Sequence, residues 1–147
     1  MEGVFQAMIE YNETKKDLPA SQLHQLFHAV GWSDGEDNEE IAVRFIQGPF
    51  LHSTLVVSAW DGERLVGAVR VLSDQIVRSV VYDLLVDPQY QANGIGSELL
   101  RRCIAHYPKT QWLLQTEEHI VGFYEKHGFE RYKEVVLIKE SPYFNQK

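Results

Sequence analysis

The stretch of residues 82–104 constrains the fold more than any other, because it predicts a strand, a glycine loop and a helix in direct succession. A near-continuous apolar run over residues 80–86 indicates a buried strand, and Pro88 ends it. Two glycines, Gly94 and Gly96, follow in a turn. Apolar residues then recur at helical spacing at Ile95, Leu99, Leu100, Cys103 and Ile104.

A glycine loop in front of a helix predicts a binding site for an anionic group. The first backbone N–H groups of a helix have no acceptor within the helix, and the helix dipole is positive at that end. Gly94 and Gly96 let a diphosphate come close to the backbone, because no Cβ intervenes. Two common nucleotide loops are excluded: Leu99 stands where a dinucleotide fold needs its third glycine, and no G-x-x-x-x-G-K-[ST] stretch occurs.

This segment resembles motif A of the GNAT superfamily of acyl-CoA-dependent N-acetyltransferases, D-L-x-V-x-P-x-[YF]-[QR]-x-x-G-x-G-x-x-L-L. A second block at residues 123–129 resembles the family element F-Y-x-K-x-G-F. With compatible elements before them, the two blocks extend the resemblance over nearly the whole chain. The residues that match motif A are Asp83, Leu84, Val86, Pro88, Tyr90, Gln91, Gly94, Gly96, Leu99 and Leu100.

The resemblance implies a fold and an activity. The fold would be one GNAT-like domain over residues 1–147, of α/β (α+β) class, with a central mixed, mostly antiparallel sheet of about six strands flanked by about four helices. The activity would be acetyl transfer from acetyl-CoA, as co-substrate and without a metal, to a primary amine of a small-molecule or peptide-like acceptor by direct attack. The alternatives are a non-catalytic acyl-CoA-binding or sensing domain and a protein N-acetyltransferase.

The resemblance also implies which residues hold CoA. The loop and the start of the helix would bind the diphosphate, and the strand before them would bind the acyl end, with the backbone N–H of Leu85 as the oxyanion donor. Many relatives have Arg or Lys at positions 91 or 93, whereas both residues are neutral here, so backbone amides alone would hold the diphosphate. The predicted CoA-binding residues are Leu85, Val86, Gln91, Asn93, Gly94, Ile95, Gly96 and Ser97.

Two side chains are predicted to act in catalysis. Tyr124, in the second block, would protonate the departing thiolate, because a phenol keeps its proton at pH 7; its alternative role is packing between helix and sheet. Asp83 would hold the acceptor ammonium, or would instead pair with a buried arginine such as Arg70. Glu117 and Glu118 are alternative bases and could equally be caps of the last helix.

Composition narrows the class of partner. The formal net charge of −7 argues against nucleic acid as a partner, because nucleic-acid binding relies on clustered Lys and Arg. No apolar run approaches the length of a membrane span. Neither a signal peptide nor a membrane partner is expected. The cytoplasm is therefore the expected compartment, which suits a chain with one cysteine, Cys103, placed on the apolar helix face. The sequence also leaves room for a homodimer.

Capping residues, glycines and β-rich runs predict the remaining elements. A helix is expected between Pro19 and Gly31, and a second from Asp37 or Asn38 to Gly48. Trp32, between them, would either line the acceptor cleft or close the core. His24 and His28 lie four residues apart, but a metal site is not expected there because Gln25 replaces the glutamate of H-E-x-x-H. Strands are expected at residues 6–11, 54–60, 64–72, 78–86, 111–116 and 129–138, and a last helix at 120–127.

Overall fold

The computed structural model describes residues 8–33 and 38–144, and a five-stranded sheet forms the middle of this part of the chain. The strands lie in sequence order, β1-β2-β3-β4-β5. Neighbours are antiparallel except β4 and β5, which are parallel because helix α4 joins them as a crossover. The strands are β1 (Ile9–Asn12), β2 (Leu55–Asp61), β3 (Arg64–Ser73), β4 (Arg78–Val86) and β5 (Gln111–Leu114).

Helices cover both faces of the sheet, because alternate residues of β2 and β3 are apolar on both sides. One face of the sheet packs on α4 through Val57 and Val69. The other face packs on the N-terminal helices through Val56 and Ala68. The helices are α1 (Ala20–Ala29), α2 (Glu39–Ile41), a π-helical stretch (Ala42–Gln47), α3 (Gly48–Leu51), α4 (Ile95–His106) and α5 (Val121–Glu125), with single 3-10 turns at Pro88–Tyr90, Glu118–Ile120 and Pro142–Phe144.

Gly67 of β3 lets α4 approach the sheet closely. A Cβ at this position would lie 3.2 Å from side-chain carbons of both Ile95 and Leu99. Any larger residue would therefore push against the first turns of α4, the part of the helix that follows the glycine loop. The lack of a side chain at Gly67 thus determines how closely the start of α4 approaches the sheet.

Most expected elements are confirmed, including the α/β class and the mixed, mostly antiparallel sheet. Asn38 caps α2 by accepting a hydrogen bond from the backbone N–H of Ile41 at 3.0 Å; Asp37, the other expected cap, lies outside the described residues, as do residues 6 and 7 of the expected first strand. Gly48 does not end the second helix, because its φ of −52° is helical and the chain continues helically to Leu51.

The expected strand at residues 129–138 is wrong. Residues 130–140 lie in neither helix nor strand, so the described sheet has five strands rather than about six. The apolar run Val135–Ile138 has high strand propensity, but propensity produces a strand only where a neighbouring edge supplies hydrogen bonds. Here β5 is only four residues long, and the chain after α5 forms no strand beside β5.

A bulge bends β4 away from β5. Arg70 pairs with Asp83 and Val71 pairs with Val81, so Tyr82 is an extra residue on β4. An extra residue of this kind bends and twists the strand that carries it. Pairing with β5 stops at Val81, although β4 continues for five more residues to Val86. The two parallel strands therefore diverge, and a gap opens between them.

In the parts of the chain that the structure describes, no helix has the length and apolar character needed to cross a bilayer.

Leu99 on α4 is fully buried against the sheet, and we expect Leu99→Ala to lower the free energy of unfolding by about 2–5 kcal/mol, because it removes apolar contacts and leaves a cavity. Denaturant unfolding followed by circular dichroism measures this. Leu51→Ala is the control, since Leu51 is 42% exposed and its loss should cost under about 1 kcal/mol. Equal losses for the two variants would contradict the described core.

Candidate active site

The gap between β4 and β5 opens into a cleft of about 1170 Å³. The end of α1 and Trp32 line one end of it, and the glycine loop with the first turn of α4 lines the other. The floor is the part of β4 that has left β5, and α5 forms a side wall. The remaining lining comes from the chain between β5 and α5, residues 115–120 except Glu118.

The backbone of β4 presents unpaired polar groups to this cleft. Asp87 donates its N–H to the Val66 carbonyl of β3 at 2.8 Å. Groups alternate in direction along a strand, so the amide of Leu85 also points to β3, toward its partner Ala68. The amides of Leu84 and Val86 consequently point to the β5 side. A contact supports this direction: the Gln91 side chain donates to the Val86 carbonyl at 3.1 Å.

The Leu85 amide, predicted from the sequence as the oxyanion donor, is therefore directed to β3, and the amide on the cleft side is that of Leu84. The two amides are neighbours on the same strand, and a one-residue step along a strand reverses the direction of every backbone group. The Leu85 side chain is buried against the N-terminal helices, which also places it on the face away from α4. Register against β3 settles this direction, and the register is not visible in the motif.

The glycine loop is fixed at both ends and leaves the start of α4 open. At its beginning, Asp87 accepts hydrogen bonds from Gln89 N–H at 2.9 Å and from Arg64 at 2.8 Å. At its end, Gly94 has a φ of +77° and precedes Ile95 as the N-cap residue. No side chain caps the helix, so the N–H groups of its first turn, at Ile95, Gly96 and Ser97, face the cleft without an intrahelical acceptor.

The start of α4 meets the cleft without a lysine or arginine among the described residues that line it. Arg101 and Arg102 on α4 are instead bound to Glu98, and Arg102 also contacts Glu13. Backbone amides and the helix dipole are therefore the positive groups that an anion would meet here. Close by, Ser97 Oγ lies 2.9 Å from Nε2 of His127.

Tyr124 lies in the wall of the cleft. Its ring packs edge-on against Phe123 and Phe129, with centroid distances of 5.0 and 5.8 Å. No described residue forms a hydrogen bond with its hydroxyl, which leaves that group for a ligand. Burial raises the pKa of Tyr124 above its ordinary value of 10.0, so the phenol is protonated at neutral pH. Tyr124 thus packs against neighbouring aromatic rings and also lines the cleft.

The acidic residues of the cleft differ in their partners. Asp83 forms an ion pair with Arg70, and both side chains are mostly buried. Glu117 is exposed in the cleft, with His119 Nδ1 3.4 Å from its carboxylate. Glu118 points elsewhere and binds Arg131 at 2.5 Å, an interaction that lowers the pKa of Glu118. Of the carboxylates considered from the sequence, Glu117 is the one that faces the cleft without an arginine partner.

Other predicted residues also have defined positions. Trp32 lines the cleft and packs edge-on against Phe27 at 5.6 Å, and it is 52% exposed, so it does not close the core. His28 Nδ1 lies 2.9 Å from the Ser33 carbonyl, and His24 Nε2 lies 3.3 Å from the Ser33 hydroxyl. Cys103 is buried, and burial raises its pKa to about 12, which makes the thiol a poor nucleophile. Within the described residues, no group of His, Cys, Asp and Glu is arranged to hold a metal ion.

Sequence reasoning missed Leu84 as the cleft-facing amide and the contact between His127 and Ser97. The direction of the Leu84 amide depends on the register of β4 against β3, for which the sequence carries no signal. His127 lies within the second motif block, but its meeting with α4 depends on how α5 packs. Asn93, which was expected in the anion site, is not among the residues that line the cleft.

Comparison with known proteins identifies the family of this chain. Residues 31–143 match the profile of the acetyltransferase (GNAT) domain. A GNAT-family acetyltransferase from Streptococcus pneumoniae TIGR4 has a similar solved structure: it is 31% identical, with a TM-score of 0.73 over 92% of this chain and 99% of that chain.

Two further relatives extend the comparison. An uncharacterized N-acetyltransferase (ycf52-like) from Prochlorococcus marinus is 26% identical over 78% of this chain, which spans 64% of that protein's length. An aminoglycoside acetyltransferase from an uncultured soil metagenomic sample, solved with sisomicin, is 19% identical, with a TM-score of 0.67 over 90% of this chain and 95% of that chain. The second likeness is one of fold.

Gly96→Asp should abolish CoA binding by a folded protein, because a carboxylate would meet the diphosphate at the start of α4. Isothermal calorimetry with CoA measures the affinity. Gly96→Ala is the matched control: its Cβ would lie 3.4 Å from the Phe123 ring, an ordinary contact, so the fold should accept it. Unchanged affinity in the Asp variant, with native circular dichroism, would remove the loop from the CoA site.

Proposed function

Since this chain belongs to the GNAT acetyltransferase family, we propose that it transfers an acetyl group from acetyl-CoA to a primary amine of a small or peptide-like acceptor. The observation that carries this proposal is the continuity of one cleft. Its floor is an unpaired strand edge, at Leu84 and Val86, and its far end is the uncapped start of α4. A long ligand with amide groups in its middle and a diphosphate at its end suits such a surface.

Different backbone groups of the chain would bind different parts of acetyl-CoA. The amides of Ile95, Gly96 and Ser97 would hold the diphosphate, and the edge of β4 would bind the pantetheine arm as an added strand does. The Leu84 amide would then donate to the thioester carbonyl oxygen. A donor already fixed in a sheet stabilises the developing oxyanion without reorganising during the reaction.

The acceptor would reach the thioester from the end near Trp32. An ammonium of pKa about 10.4 must lose its proton before it attacks, which costs about 4.6 kcal/mol at pH 7. We assign this proton to Glu117, directly or through water, because its carboxylate faces the cleft without an arginine partner. Asp83, the earlier candidate for holding the ammonium, has its charge balanced by Arg70 and would act at longer range.

Collapse of the tetrahedral intermediate completes the transfer. The amine nitrogen has formed its bond to the carbonyl carbon, and the bond from that carbon to sulfur breaks. The Tyr124 hydroxyl would give its proton to the leaving thiolate, which has comparable basicity. The raised pKa of Tyr124 keeps this proton available across neutral and mildly alkaline pH.

Release of free CoA thiol from acetyl-CoA, measured with an amine panel, tests the function. The panel should include diamines, a lysine peptide and an aminoglycoside, the last because a protein of this fold is known with sisomicin bound. The proposal predicts amine-dependent thiol release with at least one member. Tight acetyl-CoA binding without turnover across a broad panel would favour the non-catalytic sensing domain instead. The net charge of −7 favours cationic acceptors over nucleic acid.

Tyr124→Phe should lower kcat by roughly 10²–10⁴ when chemistry limits turnover, because it removes the acid and keeps the ring. Affinity for CoA and the melting temperature should stay close to wild type. Phe129→Leu is a useful comparison, since Phe129 packs on the same ring without being assigned to the chemistry. Undiminished turnover in Tyr124→Phe would leave thiolate protonation to water.

Glu117→Gln should lower kcat/KM for a cationic acceptor, because the variant cannot take a proton from the amine. The adjacent Glu118→Gln is the matched control, since Glu118 is bound to Arg131 and does not line the cleft. Acceptor kinetics from pH 5 to 9 separate the two variants. Equal effects at both positions would point to overall charge rather than to a base.

A further inference from the structure

His127 contacts the start of α4 although it lies at the end of another helix, α5. Its Nε2 is 2.9 Å from the hydroxyl oxygen of Ser97, and both side chains are partly buried. Ser97 lines the cleft, whereas His127 does not. The family element F-Y-x-K-x-G-F leaves the position of His127 unspecified, so the contact is a feature of this chain rather than of the motif.

The end of α5 holds the imidazole ring in place. The backbone N–H of His127 donates to the Tyr124 carbonyl at 2.9 Å, and Gly128 follows in the left-handed conformation, with a φ of +90°, that ends the helix. The ring packs on Phe123 with its centroid 5.2 Å away. The imidazole is therefore positioned by α5, and Ser97 meets it from α4.

The contact decides which way the Ser97 hydroxyl points. A hydroxyl has one hydrogen to donate and two lone pairs that accept. When Nε2 of His127 carries a hydrogen, it donates to the Ser97 oxygen, and the hydroxyl hydrogen stays free for a group in the cleft. When Nε2 is bare, the hydroxyl donates to it and presents only lone pairs to the cleft. No other residue in the described part of the chain forms a hydrogen bond with this hydroxyl.

An anion selects the first of these two arrangements. A phosphate oxygen accepts hydrogen bonds and is repelled by lone pairs, so it can bind Ser97 only when the hydroxyl donates. Histidine changes its charge between pH 5 and 8, and the protonated ring always carries a hydrogen on Nε2. Protonation of His127 therefore keeps the Ser97 hydroxyl in its donating direction and adds positive charge behind it.

The other charged groups on the elements around this contact are either paired or exposed to solvent. The carboxylate on α4 is bound to arginines, and the charged groups on α5 and on the cleft wall are exposed, so solvent screens them. These groups are Glu98 with Arg101 and Arg102 on α4, Glu125 and Lys126 at the end of α5, and Glu117 with His119 between β5 and α5. Among the described residues, His127 is the titrating side chain that contacts Ser97.

We propose that His127 is a positioning residue of the CoA site: it donates from Nε2 to Ser97 Oγ, turns that hydroxyl toward the diphosphate, and makes CoA bind more tightly as the pH falls. His127 has this role only if the proposed function is right, because the group it acts on is the diphosphate of CoA. The sign follows from linkage. A protonated ring favours the bound anion, so the bound anion favours protonation by the same factor, and affinity rises where the ring is protonated.

Dephospho-CoA is the ligand for the test, because it keeps the diphosphate and lacks the 3′-phosphate, a monoester that itself titrates near neutral pH. Calorimetry at about pH 8 and about pH 6 compares wild type with His127→Gln, which keeps an N–H donor without a charge. The two proteins should agree within about twofold at the higher pH, and wild type should bind at least about threefold more tightly at the lower pH.

His106→Gln is the matched control for the loss of a titrating histidine. His106 lies in the last turn of α4, and its Nε2 is 2.7 Å from the Glu13 carboxylate, far from Ser97 along the same helix. This variant should keep the pH dependence of wild type. A His127→Gln variant with the pH dependence of wild type would overturn the proposal.

A double-mutant cycle tests whether His127 acts through Ser97. At about pH 6, Ser97→Ala and His127→Leu should each weaken dephospho-CoA binding at least about threefold. The double variant should be weaker by clearly less than the product of the two factors, because both changes break the same chain of hydrogen bonds. Circular dichroism confirms that each variant is folded.

Two results of the cycle separate this role from the proposed function. Factors that simply multiply, in a wild-type protein that binds CoA, would overturn the role of His127 and leave the proposed function standing. A wild-type protein that binds neither CoA nor dephospho-CoA would refute the proposed function, and the role of His127 with it.

Discussion

The divergence of β4 from β5 is the constraint on which the cleft depends. Buried backbone N–H and C=O groups must find partners, and within a sheet they normally find them in the next strand. The extra residue at Tyr82 takes the last part of β4 out of reach of β5, so the amides of Leu84 and Val86 lose that partner. A fold can keep such groups unpaired only where water or a ligand replaces the missing strand. The cleft therefore follows from the end of β5 at Leu114 together with the bulge in β4.

The two ends of the cleft use different physical means. At the α4 end, the positive field comes from oriented amides and the helix dipole, since the nearby Arg101 and Arg102 are bound to carboxylates. Elsewhere in the cleft, Glu117 has no arginine partner, and the charge of Asp83 is balanced by Arg70. An anionic co-substrate and a cationic acceptor would thus meet at the strand edge, each attracted from its own side.

Local signals in the sequence predicted the parts of the structure that depend on local chemistry. The glycine loop, the helix after it and the antiparallel strands before it all follow from spacing and turn residues. The pair of Asp83 with Arg70, one of the two roles expected for Asp83, is confirmed. The direction of the Leu84 amide and the separation of Glu117 from Glu118 depend instead on register and packing between distant segments. The expected strand at 129–138 failed for the same reason, because strand propensity specifies a preference and not a partner.

The close approach at Gly67 means that the start of α4 is positioned by a residue that does not line the cleft. Leu99 and Ile95 rest where the missing side chain would be, so the helix start takes its height above the sheet from this strand position. A methyl group there would lift the three open amides together and leave each of them intact. A methyl group should therefore be tolerated less well at Gly67, which does not line the cleft, than at Gly96, which does.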